Sequence, residues 1–179
     1  ACFAYGINHL KIDIYWAELD SEFYTTYGQR TLADILESFP DSAILCVYWM
    51  AKSFDEQPAI DKLILLLNQH NRINIEILCS NEIVMKALRR TSLVVRLGYL
   101  TNNIHEDNFK RVIDNLCLSI ICMDYCSICP NVVREVRLMG CEVYCYGADK
   151  TIEKLYLKEC NVHKIITDFP LKGCSNYTS

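Results

Sequence analysis

Histidine, proline and glycine are all scarce in this chain of 179 residues, at four, four and six copies. With so few prolines and glycines there is no low-complexity linker to separate domains. No Gly-x-Gly-x-x-Gly turn follows the first apolar run, so the phosphate cradle of a dinucleotide-binding fold is excluded. Positive charge is also short. Eighteen Lys and Arg stand against 22 Asp and Glu, a net charge of −4, and the basic residues are scattered. That leaves no basic footprint for a polyanion and excludes nucleic acid as a partner. No apolar run approaches the roughly 18 residues of a membrane span. The longest is "AILCVYWMA" at 43–51, and no signal-peptide pattern opens the chain.

What is present is enough for one substantial core. At 51% hydrophobic and 22% charged residues, a single globular domain over 1–179 is expected. Eleven cysteines in 179 residues fall below the roughly 8–10% of a disulfide scaffold, and their odd number forbids complete internal pairing. Cys46, Cys79, Cys117, Cys122, Cys141 and Cys145 lie in apolar runs, where a free cysteine behaves as a small hydrophobe. This usage points to a reducing, cytoplasmic compartment. The sequon Asn176-Tyr-Thr178 would be a glycan acceptor in a secreted or lumenal protein, so that placement stays open.

Short β-branched runs alternate with helical stretches. Strands are expected at 10–16, 43–50, 73–79, 93–100, 116–122, 141–147 and 163–168, and their continuous apolarity suits parallel strands buried on both faces. Helices are expected at 31–39, 58–70, 81–91, 105–116, 130–140 and 151–160, where apolar residues recur every three to four positions. Pro130 and Gly140 bracket one of them in the order helix ends prefer. The alternation predicts an α/β fold, and without a glycine-rich turn a (β/α)₈ barrel is favoured over an open doubly wound sheet. The stretch "ELDSEFYTTYG" (18–28) reads as a small hairpin inserted after the first strand.

In that order, "LKIDIYWAELDSEFYTTYG", "RTLADILESFPDSAIL" and "MGCEVYCYGADKTIEKLYLKECNVHKIITDFP" resemble the glycerophosphodiester phosphodiesterase family, and Thr167-Asp168-Phe169-Pro170 is the most specific match. The resemblance implies a TIM barrel of the phospholipase-C-like superfamily. Its activity cleaves a glycerophosphodiester to an alcohol and glycerol 3-phosphate with a divalent cation, Mg or Ca, and two histidines. It further implies that the family's first strand, which carries one histidine, is missing and would lie upstream of Ala1, so that the chain is a degenerate or truncated member. Where the family has Glu-x-Asp this chain has Lys11-Ile12-Asp13, leaving Asp13 as the metal-ligand position and an ammonium in place of its partner. Where the family's hairpin ends in histidine this chain has Tyr27, and tyrosine, with a reference pKa near 10, is a poor base at neutral pH. Lys52, Tyr146 and Asp168 fall at positions expected to bind substrate.

The expectation is a catalytically impaired barrel with a binding or assembly role and a phosphate-bearing small molecule as ligand. A protein partner, a second copy or a terminal segment would cover the edge left by the missing strand. The alternative is a fragment of the active hydrolase. A rival constellation is Cys122-x₃-Cys126-x₂-Cys129, a spacing suited to an iron–sulfur cluster. Cys126 and Cys129 could instead form a redox pair with a lowered thiol pKa at a helix start. A zinc site using Cys117 or His105 is a third variant. His9 and His163 flank strands with no partner evident in the sequence.

Overall fold

The computed structural model describes residues 8–26, 28, 30–50, 57–71, 74–91, 95–101, 108–168 and 177–178. The strands are β1 (His9–Ala17), β2 (Glu22–Thr25), β3 (Ile44–Trp49), β4 (Asn74–Cys79), β5 (Arg96–Leu100), β6 (Ile120–Asp124), β7 (Glu142–Tyr146), β8 (Lys164–Ile166) and β9 (Tyr177–Thr178). The helices are α1 (Leu32–Ser38), α2 (Gln57–Gln69), α3 (Glu82–Arg89), α4 (Asn108–Leu116), α5 (Pro130–Leu138) and α6 (Thr151–Glu159), with a 3₁₀ turn at Tyr125–Ser127. One sheet runs β2-β1-β3-β4-β5-β6-β7-β8-β9. Every neighbouring pair is parallel except the β1–β2 hairpin, which is antiparallel. Cα atoms of β9 come within 8 Å of β1, so the sheet curls back on itself into a barrel. None of the described helices is long and apolar enough to cross a membrane.

Period-two side chains divide the strands between two environments. Ile14, Leu45, Val47, Ile77, Ile121 and Val143 face outward and join Leu36, Leu63, Met85, Val136 and Leu157 of the helices in the main core. Cys46, Leu78, Ile120, Cys122 and Tyr144 face inward and fill the barrel. The wall at β5 is tight: a Cβ on Gly98 would stand 2.3 Å from Leu78 Cδ2 and 2.9 Å from Ile120 Cβ. Only glycine lets β4 and β6 side chains meet across that strand.

The barrel and its inserted hairpin agree with expectation, and most elements fall within a residue or two of their expected bounds. Two findings differ. The expected strand 116–122 is in fact Ile120–Asp124, because Leu116 closes α4, Cys117 turns with φ +46° and Leu118 is buried in the connection. The apolar run therefore spans a helix end, a turn and a strand start. The second difference is β9, which pairs with β8 through Ile165 with Tyr177 and Ile166 with Thr178. No strand was expected at these residues, but β9 lies on the edge of β8 as the terminal segment that was one of the expected coverings.

Candidate functional site at the barrel mouth

Because the core strands are parallel, their C-terminal ends share one rim, and a cleft of about 500 Å³ opens there. Period two places Lys11 and Asp13 of β1 on the same inner face, and the Lys11 ammonium is paired with the Asp13 carboxylate. The same ammonium lies 5.2 Å from the centroid of the Tyr48 ring, whose electron-rich face favours a cation. Burial raises the Tyr48 phenol above its ordinary value, with Cys79 and Asp13 adding to the shift, so it remains neutral. Tyr146 and Gly147 at the end of β7, Thr167 and Asp168 after β8, and Thr25 and Thr26 at the hairpin complete the main polar lining with Asp149.

The loop bearing Asp149 is held from below. Glu153 Oε2 accepts from the backbone amides of Asp149 and Lys150 at 3.1 and 3.0 Å, which also caps the start of α6. Lys154, 1% exposed, donates from Nζ to the Asp149 carbonyl at 2.8 Å. Thr167 Oγ1 donates to Asp149 Oδ1 at 3.4 Å and ties this loop to the end of β8. Lys154 was not legible as a site residue, since its sequence pattern is that of an ordinary amphipathic helix.

Asp13, Tyr146 and Asp168 are thus brought together, with Lys11 beside them. Lys52 and Tyr27 lie outside the described residues, as do His105 and Asn176. The cysteine constellation does not assemble. Cys122 faces the sealed interior, and its thiol is pushed up to about 12 by burial. Cys126 is exposed on the 3₁₀ turn, and Cys129 is half-buried at the start of α5. Hydrogen bonding to Asp124, and that carboxylate's charge, raise the Cys126 thiol, the reverse of the shift a redox thiol needs. Cys117 is exposed on the turn after α4.

His9, in contrast, does have a partner. It lies at the opposite end of the barrel with Nε2 3.0 Å from Glu76 Oε2. Glu76 Oε1 is 2.5 Å from Arg96 Nη1, and the Tyr144 hydroxyl is 2.9 Å from both Glu76 oxygens. Arg96 Nη2 in turn meets Glu142 Oε2 at 2.9 Å. Burial pushes the Glu76 carboxyl upward, but its contacts with His9, Arg96 and Tyr144 prevail and hold it below the usual range.

No protein-family model and no curated protein matches this sequence. Solved structures do match. A phosphodiesterase from Oleispira antarctica, determined in complex with its product sn-glycerol-3-phosphate, superposes with a TM-score of 0.83 at 13% identity, covering 93% of this chain and 83% of that one. A glycerophosphodiester phosphodiesterase from Parabacteroides distasonis gives 0.76 at 12% identity over 89% and 79%. One from Thermotoga maritima gives 0.73 at 13% identity over 93% and 84%.

The fold is that of the glycerophosphodiester phosphodiesterases. Within it, the cation implied by the resemblance can be tested against the residues present. Asp13 is engaged by the Lys11 ammonium beside it. Among the described residues, the mouth carboxylates Asp13, Asp149 and Asp168 do not bring three ligand oxygens within 4.8 Å of one another. Among the described residues, the mouth does not fit a carboxylate-held divalent cation, and an ammonium cannot serve as a ligand in its place.

Proposed function

We propose that this glycerophosphodiester phosphodiesterase-like barrel binds a phosphate-bearing polyol, such as glycerol 3-phosphate, at its mouth without hydrolysing phosphodiesters. The observation that carries this reading is the Lys11–Asp13 pair over Tyr48. It sets an ammonium, partly desolvated and shared with Asp13, at the rim in place of a cation site, and a phosphate oxygen could take one of its remaining donors. The neighbouring Thr25, Thr26 and Thr167 offer hydroxyls, while Asp149 and Asp168 can accept hydrogen bonds from a polyol. The resemblance puts Tyr27 where the family has a proton-transferring histidine and Lys11 where it has a ligating acid, so a proton shuttle and a cation ligand are both replaced. A protein partner or second copy at the barrel edge is part of the same proposal, in an assembly role.

The test pairs two measurements on the full chain. A phosphodiesterase assay with glycerophosphodiester substrates and added Mg or Ca is expected to show no turnover. Calorimetric titration with glycerol 3-phosphate is expected to show saturable binding that Lys11→Met lowers at least tenfold. Cation-dependent turnover by the unmodified protein would instead establish the hydrolase reading.

A further inference from the structure

We propose that the barrel interior holds a transition-metal ion, zinc by its ligand set, on His9, Cys46 and Glu76. This site is separate from the mouth and does not depend on the polyol-binding reading. His9 precedes Asp13 by four residues on β1, a separation of about 13 Å along an extended strand. One ligating atom from each of His9, Cys46 and Glu76 lies within 4.8 Å of the others, and each residue is buried. Tetrahedral zinc, with bonds of about 2.0 Å to nitrogen and oxygen and about 2.3 Å to sulfur, places its ligand atoms roughly 3.3–3.6 Å apart. Closing the triad onto an ion therefore asks for shifts of an ångström or less. Imidazole, thiolate and carboxylate are the mixed donors that zinc accepts.

Two further observations favour an ion over a plain ion-pair network. His9 is 0% exposed, and neither ring nitrogen makes a well-formed hydrogen bond, although Nε2 stands 3.0 Å from Glu76 Oε2. An orphaned buried polar atom of this kind is costly. A ring lone pair directed at a cation would satisfy it. The carboxylate ligand is already oriented by Arg96 and the Tyr144 hydroxyl, the outer support that ligands of a metal normally have. The fourth ligand position would go to a water.

The experiment uses tag-free full-length protein, incubated with zinc, desalted and analysed for metal by mass spectrometry. About one equivalent of zinc is expected in the folded wild-type chain. Replacement by cobalt(II) is expected to give the near-ultraviolet thiolate-to-metal charge-transfer band. Cys46→Ala, which keeps a small apolar side chain in the packing, and His9→Gln are each expected to lose at least nine-tenths of the bound metal, while Cys122→Ala keeps it. Circular dichroism reports whether each variant is folded. Should a variant fail to fold, the cobalt spectrum of the wild-type chain decides alone. A folded wild-type chain without stoichiometric metal, a cobalt spectrum without the thiolate band, or a folded Cys46→Ala or His9→Gln chain that retains its metal would each overturn the proposal.

Discussion

His163 shows how a single side chain can couple this barrel to pH. At the start of the last long parallel turn its Nδ1 accepts from the Val143 amide at 3.0 Å while its own amide donates to the Val143 carbonyl at 2.9 Å. Burial, with Arg137 nearby, lowers its pKa below the ordinary 6.5, so the folded protein favours the neutral ring. The unfolded chain then takes up a proton at higher pH than the folded one. Stability from this group is therefore complete above about 6.5 and declines as pH falls through the lowered folded value. His163→Gln can keep the acceptor without titrating. Melting temperatures measured from pH 7.5 to 5 are expected to fall less steeply for the variant than for the wild type over the acid part of that range. Residue roles were unevenly legible in the sequence. Lys11 and Asp13 could be placed on one face because strand period is local. The His9 contacts could not, since Glu76 and Tyr144 reach it from two other strands, with Arg96 behind Glu76 on a third, and only the curling of the sheet joins them. The available signal was subtle: acids and bases standing inside otherwise apolar strands, as in "NIEILC" and "VVRLG".

At the scale of elements, the alternation of apolar runs carried most of the information, because strands buried on both faces and helices buried on one leave different periodicities. It failed where three elements share one apolar run, between Leu116 and Ile120, and it had nothing to say about β9, whose two residues hold no periodicity at all. Helix starts are better marked. Thr31 caps α1 by accepting from the Asp34 amide at 3.1 Å, and Asp34 Oδ2 accepts in return from the Thr31 amide at 3.1 Å. This reciprocal box fixes where the hairpin gives way to α1 beside the mouth. Thr31→Ala is expected to cost about 1 kcal/mol in chemical denaturation, with the slope of the transition unchanged.

Across the whole molecule, the β/α order and the hairpin were readable and the closure was not. Periodicity reports which residues are buried but not which strand lies beside which, and β9 reaches β8 from a segment with no strand signature. Sheet edges invite pairing with other chains, and β9 covers part of one. A two-residue strand has few hydrogen bonds to lose, so native-state hydrogen exchange is expected to be much faster at Tyr177 and Thr178 than in β3 and β4. Equal protection across all of these strands would contradict that expectation. The position of β9 also has a consequence in time. It meets a strand that emerges from the ribosome some 160 residues earlier. So distant a pairing is slow by topology, and the first strand waits for this neighbour long after its pairing with β3 has become possible.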